Sequence, residues 1–183
     1  MAMVTHPVIL QIVGYQNSGK TTAMYEVIQR LSLKGQKVVT IKHHGHGGKP
    51  DIAERKDSAR HVEGGALASL IEGEGRVLLH AEQSEWTLKE QIHLLLALSP
   101  DIVLIEGHKH EGYPKAVLLR DESDFHLLDE LNNIKVVYCC LENLANRLPE
   151  QLAYPVFSRR EDLYNWIEDY VLAAISSSVD IKK

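Results

Sequence analysis

Apolar residues along the chain fall into short continuous runs, separated by longer stretches with helical spacing. Residues 8–13 are apolar except for Gln11 and are short enough for a buried strand. Ala23, Val27 and Leu31 then recur every fourth residue, which predicts a helix over 19–33 that Gly35 stops. Residues 37–41 include the β-branched run Val38-Val39-Thr40-Ile41 and predict a second strand. Strand, helix, strand at this interval is a βαβ unit. Its right-handed crossover makes the two strands parallel.

Further along, residues 52–63 predict a surface helix, polar on most faces, which can also begin later with Asp57 or Ser58 as its cap. Gly64-Gly65 ends it. Strands over 66–71 and 76–80 flank the turn 72–75 and predict a hairpin, read as an antiparallel extension of the main sheet. A helix over 88–98 has Thr87 as candidate cap and Pro100 as its stop. Strands follow at 101–105, 116–119 and 134–138, then a loop or short helix at 144–149. An edge strand is predicted at 154–157, where Pro155 suits a sheet margin. The last helix, 162–175, places Leu163, Trp166, Ile167 and Tyr170 on one face, and 176–183 reads as a frayed tail. No repeat or linker interrupts the pattern, so residues 1–183 are expected to form a single domain. The fold class is α/β, a three-layer sandwich around a mostly parallel sheet with an antiparallel hairpin extension.

Composition narrows the picture modestly. The formal net charge of -5 argues against a dedicated nucleic-acid binder. Cys139 and Cys140 are adjacent and would face opposite sides of a strand, so neither a structural disulfide nor a CxxC site is indicated. No apolar run reaches the roughly 18 residues of a membrane span, and the first apolar run leads into a glycine loop rather than a cleavage site. The cytoplasm is the expected location, with no membrane partner.

The main chemical signal is Gly14-Tyr15-Gln16-Asn17-Ser18-Gly19-Lys20-Thr21, a G-x-x-x-x-G-K-[ST] phosphate loop between strand and helix. Gly14 and Gly19 permit backbone angles that a β-carbon penalises and allow close approach to a phosphate. The N–H groups from Asn17 to Thr21, with those of the first helical turn, suit an anion. Lys20 is assigned to the β- and γ-phosphates and Thr21 to Mg²⁺. This motif makes the expected fold P-loop NTPase-like.

A second site is read at Glu106, an acid that closes the apolar strand Ile102-Val103-Leu104-Ile105. At the sheet edge it can organise the metal or an attacking water, although Asp is the commoner acid there. Gly107 allows close backbone approach. His43, His44 and His46 lie in a Gly-rich loop after the second strand, open to substrate or nucleotide contact, to transition-metal binding, or to plain solvation. Lys56, Asp57, Ser58 and Arg60 form a charged set that is either a solvated face or a second carboxylate with anion contacts. His108, Lys109 and Lys115 are read as possible anion contacts. Cys139 is read as a packed strand residue.

Taken together, these stretches resemble the molybdopterin-guanine dinucleotide biosynthesis adaptor (MobB) family. The resemblance runs through the phosphate loop, Ile41-Lys42-His43-His44 with His46, Lys56-Asp57-Ser58 with Arg60-His61, Gly65-Ala66, and Asp101 to Gly107 with Lys109 and Pro114-Lys115. It covers residues 8 to 120. It implies GTP and Mg²⁺ as ligands, weak GTPase activity, a homodimer, and a guanylyltransferase partner that attaches GMP to molybdopterin, with molybdopterin itself a possible ligand. The nucleotide set it implies is Gly14, Gln16, Asn17, Ser18, Gly19, Lys20, Thr21, Thr22, His43, His44, Asp57 and Lys109, with Lys20 and Glu106 catalytic and Thr21 and Glu106 at the metal. Asn132-Asn133-Ile134-Lys135 is not an N-K-x-D guanine-reading element, so guanine preference rests on the resemblance alone. Two other classes share the same loop. One is a small-molecule kinase with an acceptor pocket in the 43–57 loop. The other is a metal-insertion GTPase using His43, His44 and His46.

Overall fold

In the computed structural model, which describes residues 6–43, 57–149 and 151–180, the first apolar run is strand β1, Val8–Val13. There follow α1 (Lys20–Leu33), β2 (Val38–Lys42), α2 (Asp57–Glu63), β3 (Ala68–Gly73), β4 (Arg76–Ala81) and α3 (Leu88–Leu96). Then come β5 (Ile102–Glu106), β6 (Lys115–Leu119), a 3-10 turn (Glu122–Asp124), α4 (Leu127–Glu130), β7 (Ile134–Cys139), α5 (Glu142–Ala145), β8 (Val156–Phe157) and α6 (Arg160–Asp180).

The chain divides into two compact units, residues 1–43 with 92–183, and residues 44–91. The larger holds a six-stranded sheet in the order β2-β5-β1-β6-β7-β8, and every pairing in it is parallel. All six strands therefore end on one edge. The chain leaves β1 toward β2 on one side and later proceeds through β6 and β7 on the other. The order reverses between β1 and β6, the place where parallel α/β sheets hold ligands.

Alternation along the strands divides the core. Leu10, Ile12, Leu104 and Leu118 face one layer, where Ala23, Met24, Val27 and Leu31 of α1 meet Leu163, Ile167 and Val171 of α6. The opposite face carries Val13, Val117, Leu119, Val137 and Cys139, covered by Leu127, Leu131, Leu144 and Leu148 from the short helices and their flanks. Each fully buried large side chain contributes about 1.5–3 kcal/mol. Adjacent Cys139 and Cys140 point to opposite faces, as strand alternation requires.

The smaller unit is local in construction. α2 ends at Gly64-Gly65, and β3 and β4 pair antiparallel, joined across Glu74-Gly75, as a two-stranded sheet of their own rather than as the expected extension of the main sheet, because neither strand pairs with one of its six. α3 begins with a reciprocal cap. Thr87 Oγ1 accepts from Glu90 N at 3.2 Å, and Glu90 Oε2 accepts from Thr87 N at 2.9 Å.

Two further expectations change. Residues 176–180 are helical rather than frayed: α6 continues to Asp180, and the Ser176 and Ser177 hydroxyls donate back to the Leu172 and Ala173 carbonyls, so serine is accommodated there. Lys115 is fully buried at the start of β6, and its ammonium donates to the carbonyls of Glu111 and Tyr113. It is a loop anchor, not an anion contact on the C-terminal edge. Burial lowers its pKa, against the pull of Glu111. Residues 52–56 of the predicted helix lie outside the described residues.

Candidate functional site

The site lies where β1 ends. The segment from Gly14 to Gly19 runs from this strand to the N-terminus of α1, with Gly19 as N-cap. Gly14 has φ 151°, and a β-carbon there would meet the Leu118 carbonyl oxygen at 2.5 Å and Ser18 Oγ at 2.7 Å. Only glycine lets the loop lie this close to β6. Asn17 takes φ 64°, reversing the chain. Ser18 is buried and its Oγ has no partner among the described residues. Its carbonyl accepts from Cys140 Sγ at 3.4 Å. Gln16 lends its carbonyl to Arg120 at 3.3 Å. Thr22 is exposed in the first turn of α1.

Lys20 curls over the loop, and its Nζ donates to the Tyr15 carbonyl at 2.6 Å. Burial lowers its pKa; Glu106 opposes this, while Lys42 and Arg120 add to it. The next residue, Thr21, donates from Oγ1 to Glu106 Oε1 at 2.9 Å. Glu106 is buried at the end of β5, beside β1. Its other oxygen, Oε2, lies 3.4 Å from Lys42 Nζ. The three expected phosphate-and-metal residues, Lys20, Thr21 and Glu106, are thus in one place. The oxygen pair from Thr21 and Glu106 suits a hard cation such as Mg²⁺, and a lysine ammonium already lies against both.

β5 leads into Gly107, whose N–H donates to the Ile12 carbonyl at 3.1 Å. A β-carbon at Gly107 would come within 3.0 Å of the His43 β-carbon. His43 continues the ladder from β2, donating its N–H to the Glu106 carbonyl at 3.0 Å. Its ring packs against that of His108, with centroids 4.6 Å apart. Burial lowers the His108 pKa, with His43 adding to the effect. Lys109 reaches back to the phosphate loop, its Nζ lying 4.4 Å from the Tyr15 ring centre.

His44, His46, Asp51, Lys56 and the side chain of Asp57 lie outside the described residues, as does a three-histidine site. Asp57 opens α2 and Arg60 is exposed in the same helix. Among the described residues, no cluster of three or more His, Cys, Asp or Glu could hold a metal ion. Burial raises the Cys139 thiol to about 11, which fits a packed residue rather than a nucleophile.

Three site residues escape a reading of motifs. Gln11 is fully buried in β1 and donates from Nε2 to the carbonyls of Gly107 and His108, at 3.1 and 2.7 Å. The available signal was a polar residue inside an otherwise apolar strand. Arg120, just past β6, is held by the fully buried Asp124 through Nε and Nη2 at 2.9 and 2.7 Å. Its guanidinium lies 5.1 Å from the Tyr15 ring centre. Nothing in the sequence singles out Arg120 among the other arginines. Lys42 stands in the Ile41-Lys42-His43-His44 stretch, where the sequence alone assigns it no role.

Comparison with known proteins points to one family. The family model described as "Molybdopterin guanine dinucleotide synthesis protein B" matches residues 9–139. A Bacillus subtilis relative, named "Probable molybdopterin-guanine dinucleotide biosynthesis adapter protein", is 39% identical over 158 residues, covering 86% of this chain and 88% of its own. The crystal structure of Bacillus subtilis MobB superposes with a TM-score of 0.75 at 33% identity, covering 91% of this chain and 96% of that one. That of a MobB homolog from Bacillus stearothermophilus gives 0.70 at 34%, covering 90% and 98%.

Proposed function

The chain belongs to the molybdopterin guanine dinucleotide synthesis protein B family, and from that membership and the geometry of its phosphate loop we propose a GTP-binding accessory protein of molybdenum cofactor biosynthesis. It assists a guanylyltransferase in attaching GMP to molybdopterin. The observation that carries the nucleotide reading is the meeting of Lys20, Thr21 and Glu106 at the end of β1, with 2.9 Å between the threonine hydroxyl and the carboxylate.

In this reading Lys20 and the loop N–H groups take the phosphates, and Thr21 and Glu106 hold Mg²⁺. The metal, when bound, neutralises phosphate charge and polarises the terminal phosphoryl group. Lys109 and His43 line the same edge, and the family resemblance counts His44 and Asp57 among the nucleotide-binding residues. Arg120 is tied to Asp124 and to the Gln16 carbonyl, so it braces the loop rather than swinging onto a transition state. Absence of a free arginine in the described part of the site suits slow GTP hydrolysis unless a partner supplies one.

The working form is a cytoplasmic homodimer. Leu70, Val77, Leu78 and Leu79 of the β3–β4 hairpin are each at least half exposed, more apolar surface than a two-stranded sheet ordinarily leaves in water. No described helix is long and apolar enough to cross a membrane.

Equilibrium binding of fluorescent GTP and ATP analogues with Mg²⁺, to wild type and Lys20→Ala, tests the reading. GTP preference with at least a tenfold loss in the variant, on the order of 1.4 kcal/mol, is expected. ATP preference, or no effect of the substitution, refutes it.

A further inference from the structure

Lys42 is the last residue of β2 and lies in register with Glu106 on the neighbouring parallel strand β5. Side chains in register on adjacent strands emerge on the same face. Lys42 Nζ is 3.4 Å from Glu106 Oε2 and 3.4 Å from Thr21 Oγ1. Those are the two groups assigned above to the metal, and they are joined to each other at 2.9 Å. One ammonium thus lies against both ligands. The Lys42 side chain is 60% exposed and free to leave, whereas that of Glu106 is 11% exposed and held in the sheet.

We propose that Lys42 is a built-in stand-in for the divalent cation: its ammonium holds the Thr21–Glu106 position when metal is absent and gives it up when metal arrives. The proposal rests on the nucleotide-and-metal reading above. A carboxylate facing an incoming polyphosphate without a counter-charge would repel it. Lys42 supplies that counter-charge from the chain itself, so the nucleotide can bind before its metal is in place. The same contact makes Lys42 a competitor of Mg²⁺, and by linkage its removal strengthens the coupling between metal and nucleotide by the factor lost from nucleotide binding without metal.

This differs from a lysine that simply touches phosphate. Removing a phosphate contact weakens nucleotide binding to a similar degree with and without metal. Removing a competing cation weakens binding only without metal, and improves the affinity for metal.

The experiment is a titration of a fluorescent GTP analogue in EDTA and at a series of Mg²⁺ concentrations, on wild type, Lys42→Met and Lys37→Met. Lys37, exposed just before the opposite end of β2, controls for net charge. For Lys42→Met, affinity in EDTA should fall and the Mg²⁺ midpoint should drop, each by about two- to fivefold, the range of exposed ion pairs. Affinity at saturating Mg²⁺ should stay at the wild-type level, and Lys37→Met should match wild type throughout. An equal loss in both conditions with an unmoved midpoint overturns the proposal while leaving the nucleotide reading intact. A wild type whose nucleotide affinity ignores Mg²⁺ overturns both.

Discussion

Asp124 shows how one buried charge fixes the shape of the phosphate loop. Burial alone would raise its carboxyl pKa. Hydrogen bonds from the Arg120 side chain and backbone N–H outweigh that and hold it below the ordinary 3.8. A depressed folded pKa contributes stability above the unfolded value and loses it as pH falls through the folded one. Asp124→Asn should therefore be less stable than wild type at pH 7, by about 1.5–3 kcal/mol for the weakened hydrogen bonds to a charged group. The gap should narrow as pH falls below 3.8, as the wild-type carboxylate is protonated. Urea midpoints across that range measure it, and a gap independent of pH would contradict the assignment. Gln11 makes a related point without charge. Its amide ties β1 to the carbonyls after Glu106, so a residue that breaks the apolar pattern of a strand joins two halves of the site.

Helices and strands differ in how much of their extent is written locally. The cap of α3 is a four-residue exchange between Thr87 and Glu90, and the sequence marks its start. The end of α6 is not marked in that way, because its serines satisfy their hydroxyls within the helix. Along that helix Leu163 and Ile167 are buried, while Trp166 and Tyr170 stack with ring centres 5.0 Å apart. Ile167 has no exposure and packs in the layer shared with α1. Ile167→Ala should cost about 2–5 kcal/mol, with the spread set by how far the cavity collapses. A urea midpoint shift equivalent to less than 1 kcal/mol would mean that α6 does not seal this layer. Most element boundaries are legible from apolar runs and glycine stops. The short helices between β6 and β7 are not, because four-residue helices have too few turns to show a period.

At the scale of the molecule, the main sheet leaves a binding edge and the smaller unit leaves apolar surface. In β3–β4, Leu70 pairs with Leu79 on one face and Ile71 with Leu78 on the other, so both faces carry exposed apolar residues. Two-stranded sheets are marginal in water unless something covers them. If a second copy provides the cover, light scattering should give a dimer mass at micromolar concentration. Leu78→Glu with Leu79→Glu, one change per face, should return roughly half that mass, since charged groups resist burial in an interface core. A monomeric wild type at high concentration would remove the homodimer from the proposed function.

By itself, the sequence determined the parallel α/β class, the phosphate loop and the acid closing β5. These follow from local rules: β-branched runs, fourfold helical spacing, and glycines where a backbone must approach an anion. The family was legible on the same residues. Only the tertiary structure decided which of many charged residues share the site. Lys42 is 64 residues from Glu106 in sequence and becomes its neighbour through strand register. Arg120 reaches the phosphate loop because β6 lies beside β1, and Lys115 is lost to the core because β6 begins with it. Strand order places residues across the sheet, and no local pattern encodes it, because pairing partners are chosen by the packing of the whole core.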